Sequence, residues 1–188
     1  MSLLPSEIAP FLEAWNRLPR GIHPTLPQKK DINPIQFGEF LHLVCITELV
    51  CPRNLQIRYA GSEFERLAGF TIELKNYYDM LPPQFVDTTE QFHSRLMGTP
   101  CGAYVSDMIT SGSGSSYLHQ TVHLPLSDEK GEVRYLLIYG FGNKPVGDHE
   151  PRRQGNHNAR NIKELHYLDL GTGAPAAYVS NFEFHKAG

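Results

Sequence analysis

Cysteine is scarce in this sequence, which also has no long apolar run and no excess of positive charge. Its 188 residues include only three cysteines, Cys45, Cys51 and Cys101. Their odd number and the lack of C-x-x-C spacing argue against a disulfide framework and against a zinc site. A reducing compartment fits this cysteine content, so we expect a cytoplasmic protein.

The other absences concern membranes and nucleic acids. No stretch approaches the roughly 18 apolar residues of a membrane-spanning helix. The N-terminus carries prolines and acids where a signal peptide has a basic end and an apolar run. The net charge is -3 at pH 7 with the two signs interspersed, so no basic stripe is available for a phosphate backbone. We therefore expect a soluble protein that binds neither membranes nor nucleic acid.

The histidines and carboxylates form no recognisable catalytic or metal-binding set. His119 and His123 fall on one face of a predicted strand about 13 Å apart, too far for one metal ion without further ligands. We expect that face to be solvent-facing or an interface. Asp79 and Asp107 have no partner identifiable from spacing for acid–base chemistry. The Ser-Gly run at 111–116 lacks the lysine of a phosphate loop and is predicted to connect two strands.

A long hairpin is predicted over residues 115–143. Its two arms are joined by a polar loop at 127–131, where Gly131 suits a positive φ. The first arm alternates between an apolar face and a mixed face. The second arm is apolar on both faces, which is typical of a strand covered on both sides. The second arm is therefore predicted to be a central strand of a sheet.

Periodicity and capping patterns predict the remaining elements. They are an amphipathic helix at 6–17, a proline-rich extended tether, a short helix opening at Asn33-Pro34, a hairpin over 42–61, a helix from Ser62 to Gly69, a longer helix at 87–97 opened by Asp87-x-x-Glu90, and a strand at 101–110.

The chain is predicted to hold one domain with two extensions. Residues 1–34 form the N-terminal helix and tether, 35–145 the domain, and 146–188 a polar C-terminal extension. Within that extension, residues 147–161 have few side chains able to bury and are predicted to be mobile. Residues 161–184 regain apolar content in pieces too short to build a core alone, so they must dock or remain frayed.

Several short motifs recur along the chain in a recognisable order. They are Leu18-Pro19, Asp31-x-x-Pro34, Arg58-Tyr59-x-Gly61, Gly69, Gly98-x-Pro100 and Leu124-Pro125-Leu126. These motifs resemble those of the PAS domain, and in particular those of a short bacterial PAS-like family formerly of unknown function. Their order and spacing, together with the predicted strands and helices, extend the resemblance over about residues 15–143.

The resemblance implies an α+β fold with a five-stranded antiparallel sheet, helices across one face and a small cavity between them. It also implies a non-catalytic sensory or signalling module that binds a small molecule or a protein partner. We expect the aromatic side chains between the sheet and the helices to surround any ligand. The predicted ligand-binding residues are Tyr59, Phe64, Tyr77, Tyr78, Phe92, His93 and Tyr104.

Two alternatives accompany this interpretation. Axial haem ligation by a histidine occurs in PAS relatives, which makes His93 a candidate ligand, but a lone helical histidine is usually structural, so we expect no metal and no cofactor. A small cavity enzyme of the ketosteroid-isomerase-like type would instead need a buried acid facing a donor, for which Asp79 with Tyr77 or Tyr104 is the candidate set.

A homodimer is expected from the covering of the sheet. The predicted central strand is apolar on both faces, and the helices between residues 62 and 98 cover only one. The helix at 6–17 carries an apolar stripe that shields part of the second face, and a partner chain would shield the rest.

Overall fold

The computed structural model describes residues 4–81, 83–110, 116–145 and 161–175. The strand connector predicted at 111–116 and the mobile segment predicted at 147–161 lie outside these residues, apart from Ser116 and Asn161. The last part of the segment at 161–184 also lies outside them.

An antiparallel sheet of six strands forms the centre of the protein, in the order β2-β1-β5-β4-β3-β6. Its strands are β1 (Val44–Cys51), β2 (Asn54–Ala60), β3 (Gly102–Thr110), β4 (Ser116–Ser127), β5 (Val133–Pro145) and β6 (Asn161–Leu168). The prediction that the second arm of the long hairpin is a central strand is confirmed, because β5 lies between β1 and β4.

The sixth strand corrects the prediction of a five-stranded sheet. β6 pairs with β3 from Gly102 opposite Leu168 to Met108 opposite Asn161, with one irregularity beside Asp107. The apolar pieces of residues 161–184 were predicted to be too short to build a core alone. In the structure, β6 is stabilised by pairing with β3 at the edge of the sheet. The division of the chain at residues 34 and 145 remains a prediction.

Local chemistry explains one end of each of two short helices that follow the N-terminal helix. A 3₁₀ turn at Ser6–Ile8 leads into α1 (Ala9–Asn16), which confirms the amphipathic N-terminal helix. α2 (Pro34–Phe37) begins at Asn33, whose side chain accepts hydrogen bonds from the amides of Ile35 and Gln36. α3 (Ser62–Ala68) ends at Gly69, which has a φ of 79°.

The long helix α4 (Pro83–Gly98) begins four residues before the predicted capping pattern. Asp87 does not cap it. Instead, Asp87 forms an ion pair with Arg53 of the β1–β2 turn, and Glu90 lies 3.3 Å from the same guanidinium. The two acids of the D-x-x-E pattern thus lie inside the helix and pair with a distant turn, and they do not mark the start of the helix.

The two faces of the sheet carry two separate cores. On the N-terminal face, α1 and α2 cover the sheet, and the Phe11 ring stacks on Tyr139 with 4.1 Å between ring centroids. On the helical face, α3, α4 and a 3₁₀ turn at Tyr77–Met80 cover a second cluster that includes Leu136 and Ile138. None of the helices in the described residues is long and apolar enough to span a membrane.

The proline-rich segment after α1 lies along the sheet. Leu26 is fully buried, and the Ser127 amide donates to the Pro27 carbonyl at 3.0 Å. Arg20 stacks over the Trp15 ring and donates to the Trp15 carbonyl. These contacts attach the N-terminal segment to the end of β4.

Candidate functional site

A row of polar side chains lies on the helical face of β3 and β4, where apolar side chains would be expected. We call these four residues, Asp107, His119, Thr121 and His123, the polar strip. They continue the face that begins with Ala103 and Val105, since side chains alternate along a strand. Asp107, His119 and Thr121 are at most 7% exposed.

Asp107 and His119 lie opposite each other in the β3–β4 ladder. Nδ1 of His119 is 3.6 Å from Oδ1 of Asp107. The other ring nitrogen, Nε2, is buried and has no hydrogen-bond partner among the described residues. A buried polar atom without a partner costs about 1–3 kcal/mol, so this nitrogen favours contact with a hydrogen-bonding group that the described residues do not supply.

Gly140 and Phe64 enclose that nitrogen. A Cβ atom built on Gly140 would lie 3.2 Å from Nε2 of His119 and 3.0 Å from Cζ of Phe64. The Phe64 ring, which extends from α3, stands at 85° to the imidazole with 6.0 Å between centroids. The absence of a side chain at Gly140 is what lets both rings approach the backbone of β5.

At the other end of the polar strip, His123 meets helix α4. Its Nε2 lies 3.1 Å from the Thr121 hydroxyl. The Phe92 ring meets it edge-on with 5.4 Å between centroids, and the His93 ring is 6.1 Å away. The strip therefore joins sheet and helix through aromatic contacts.

The helical wall brings His93 together with two tyrosines. The Tyr78 hydroxyl lies 3.1 Å from Nδ1 of His93, and the Tyr77 ring centroid is 5.6 Å from that of His93. Burial raises the pKa of Tyr78, with a further contribution from the charge of Glu90. The hydroxyl is therefore protonated at neutral pH and able to donate a hydrogen bond.

Two buried hydroxyls add to the polar groups of the helical face. Thr47 of β1 and Thr89 of α4 are 0% and 2% exposed. Neither Oγ1 atom has a hydrogen-bond partner within the described part of the chain. Polar atoms thus recur on both walls of the space between the sheet and the helices.

Five of the seven predicted ligand-binding residues lie between the sheet and the helices of the helical face. They are Phe64, Tyr77, Tyr78, Phe92 and His93. Tyr59 and Tyr104 lie on the N-terminal face instead. The Tyr59 hydroxyl donates to the Leu41 carbonyl, and Tyr104 stacks on His166 and accepts a hydrogen bond from Gln120. The ligand-binding role of all seven remains a prediction.

The sequence interpretation missed the polar strip. The expectation that His119 faces solvent or an interface is wrong, because His119 is 7% exposed and packs beneath Phe64. Alternation along β4 separated the two faces correctly, but a face carrying histidine and threonine was assigned to the outside. The pairing of Asp107 with His119 across the two strands, which keeps both side chains buried, was not visible in the pattern of either strand alone.

The arrangement needed for the enzyme alternative is not found in the described residues. Asp79 is exposed and accepts a hydrogen bond from Asn76 at 3.1 Å. Tyr104 lies on the opposite face of the sheet. Among residues 4–81, 83–110, 116–145 and 161–175, no three histidine, cysteine, aspartate or glutamate side chains converge as metal ligands.

A surface depression of about 450 Å³ lies away from these groups. It follows the outer side of α4 and is lined by Glu90, Gln91, Ser94, Arg95, Gly98 and Thr99. None of these residues is buried, and the depression does not include the histidines of the helical face. We therefore place the candidate site inside, at the polar strip.

Comparison with known proteins gives one family match. A family model described as a PAS domain matches residues 5–139, which is most of the chain. The comparison with curated proteins finds no match.

Solved structures give weaker similarities. A light-oxygen-voltage domain studied with a flavin analogue has 20% identity and a TM-score of 0.40, covering 56% of this chain and 77% of its own. The VqmA dimer of Vibrio cholerae has 16% identity and a TM-score of 0.44, covering 62% and 54%. The light-oxygen-voltage protein of Rhodobacter sphaeroides has 14% identity and a TM-score of 0.44, covering 68% and 73%. The match thus spans about half the length of the VqmA chain.

Proposed function

This chain belongs to the PAS domain family, and on that premise we propose that it is a non-catalytic sensory module that binds a small molecule between its sheet and helices α3 and α4. The ligand contacts the polar strip on one side. On the other side it contacts the aromatic residues Phe64, Tyr77, Tyr78, Phe92 and His93.

The observation that carries this proposal is the set of buried polar atoms without partners in the described residues. On the helical face, these atoms include Nε2 of His119 and the hydroxyls of Thr47 and Thr89. Leaving such atoms unsatisfied costs about 1–3 kcal/mol each. An apolar side chain at any of these positions would remove that cost, so their presence is best explained by a ligand or bound water that completes the hydrogen bonds.

The module passes its signal on by association with another protein. The candidate site contains hydrogen-bonding and aromatic groups, and Asp79, the acid required by the enzyme alternative, is exposed. Binding that changes the contacts of α3 or α4 with the sheet would alter the outer surface of these helices. That surface is where we propose that a signalling protein reads the state of the site.

We also propose that the sensor acts as a cytoplasmic homodimer. The three free cysteines fit a reducing compartment. In the single chain, α1 covers its own sheet through Phe11 and Trp15. Residues 17–26, which link α1 to the attachment point at Pro27, contain two prolines and favour an extended path along which α1 can exchange with a second copy.

Native mass spectrometry of the purified full chain tests ligand binding. We expect a retained mass above that of the polypeptide. His123→Leu should abolish retention of the ligand. The change removes a polar group of the polar strip, and the leucine still provides a side chain that packs against Phe92. His42→Leu, the same change at an exposed histidine, is the matched control and should retain the ligand. Equal retention by all three proteins, or no ligand in any, would argue against this site.

A further inference from the structure

The environment of His119 narrows the chemistry of the ligand. We infer that Nε2 of His119 accepts a hydrogen bond from the ligand, and that the ligand is a small planar molecule bearing a hydroxyl or N–H group that takes the place of the Phe64 ring. This inference rests on the proposed function, which places a ligand at the polar strip, and adds the class of ligand and the atom that orients it.

The position of the Asp107 carboxylate favours a proton on Nδ1 of His119. The carboxylate lies 3.6 Å from Nδ1, and a carboxylate facing one ring nitrogen favours the tautomer with the proton there. In the neutral imidazole the other nitrogen, Nε2, then holds a lone pair and accepts. A ligand that completes this site must therefore donate a hydrogen bond.

Because Nε2 of His119 is buried, it favours a ligand with a hydrogen-bond donor at this position. His119 is 7% exposed, and its Nε2 has no hydrogen-bond partner among the described residues. On a surface such a nitrogen would be satisfied by solvent. Beneath α3 it remains a specific place where a donor is favoured over an apolar group of the same shape.

The Phe64 ring indicates the shape of the group that fits there. A Cβ atom added to Gly140 would lie 3.0 Å from Cζ of Phe64 and 3.2 Å from Nε2 of His119. The edge of the Phe64 ring and Nε2 of His119 therefore border the same small space above Gly140. A planar ring that bears a donor would fill the same space and also satisfy the nitrogen.

The attachment of α3 allows the ring to move. Phe64 is only partly buried, and α3 is a helix of seven residues that ends at Gly69. On its outer side Arg66 lies over the Tyr117 ring of β4, with 5.3 Å from the guanidinium carbon to the ring centroid. Withdrawal of Phe64 would thus require movement of a short element at the edge of the site, while the buried strands stay in place.

Phenol and benzene provide a matched pair of probes, because they differ by one hydroxyl. In Phe64→Ala the ring-sized space beside His119 is open, and we expect phenol to bind about two- to tenfold more tightly than benzene, the range of one net hydrogen bond. The wild-type protein, in which Phe64 fills the space, should bind both probes more weakly than the variant. Equal affinities for the two probes in Phe64→Ala would overturn the inference.

Nitrogen NMR of His119 provides a second readout that needs no change at the histidine. In Phe64→Ala we expect Nε2 to be unprotonated without a probe and its resonance to shift with phenol but not with benzene. A protonated Nε2, or the same response to both probes, would overturn the inference.

The two proposals fail differently. A retained natural ligand without any O–H or N–H group would overturn the present inference and leave the proposed function intact. If the purified protein retains no ligand, the proposed function fails, while the phenol-to-benzene ratio still decides whether His119 accepts.

Discussion

Burial determines which of the three thiols can react. Cys45 is 4% exposed and burial raises its pKa to about 12, while burial and the charge of Asp169 raise the pKa of Cys101 to about 11. Both therefore remain protonated at pH 8, and the thiolate is the reactive form. Cys51 lies exposed at the end of β1.

We predict that iodoacetamide at pH 8 labels one thiol per folded chain and three per unfolded chain, as counted by mass spectrometry. Cys51→Ser should remove the rapid labelling of the folded protein. Rapid modification of a second thiol in the native state would show that the helical face opens more easily than its burial indicates.

A second prediction at this scale concerns Phe92, which joins α4 to the polar strip. It is 2% exposed and contacts His123. Phe92→Ala leaves a cavity and should lower the free energy of unfolding by roughly 3–5 kcal/mol, measured by urea denaturation. Phe70→Ala is the control, because Phe70 is 52% exposed and its loss should cost less than about 0.5 kcal/mol. Similar losses in the two variants would contradict the packing of α4.

At the scale of single residues, the aromatic part of the candidate site was easier to predict than the polar part. Phe92 and His93 follow from helical periodicity, which turns one stripe of α4 towards the sheet. The burial of His119 depends on Asp107, twelve residues earlier, and on the absence of a side chain at Gly140. The pattern of one strand alone cannot indicate which of its faces the helices will cover.

At the scale of elements, the cap at Asn33 and the β4–β5 turn were predictable because their chemistry is local. Asn33 caps α2, and Asp128 accepts from the amides of Lys130 and Glu132 in the β4–β5 turn. β6 was missed, since a short strand gains its stability from an edge about 60 residues earlier. The start of α4 was misplaced because the capping residues pair with Arg53.

β6 leads to a prediction about the edge of the sheet. Its Tyr167 ring approaches Phe92, and its His166 stacks on Tyr104, so the strand contacts both faces. We compare a chain that ends at residue 160 with one that ends at 175, which differ by the described segment 161–175. The shorter chain should be less stable by roughly 2–4 kcal/mol, because it loses the backbone hydrogen bonds of one edge strand. Urea denaturation followed by Trp15 fluorescence measures the difference, and coincident transitions would contradict a structural role for β6.

At the scale of the whole molecule, the sheet separates the candidate site from the N-terminal segment. α1 and α2 pack on one face and the polar strip lies on the other. The four inner strands, β1, β3, β4 and β5, all carry buried side chains to both faces. In β4 these include Thr121 of the polar strip, and in β5 they include Tyr139, on which Phe11 of α1 stacks. A ligand at the polar strip can therefore affect α1 through the strands of the sheet.

The final prediction concerns the proposed homodimer, and the position of α1 in the single chain makes it specific. Phe11 is fully buried and stacks on Tyr139, while Glu13 of the same helix is exposed. If α1 exchanges between copies, its contact with the other chain's sheet is what joins the two chains, so a substitution that releases α1 from the sheet lets them separate. Light scattering of the full chain should then give about twice the 21.2 kDa of one chain.

Phe11→Ser should shift that mass towards one chain at low micromolar concentration, and Glu13→Ser should leave it unchanged. Deleting residues 1–18 should have the larger effect, because Tyr139 and Phe40 lose the helix that covers them and the truncated protein should lose the dimer together with much of its solubility. A truncated protein that stays soluble and dimeric would show that the contact between copies does not use α1. A full chain with the mass of one copy would show that α1 covers only its own sheet.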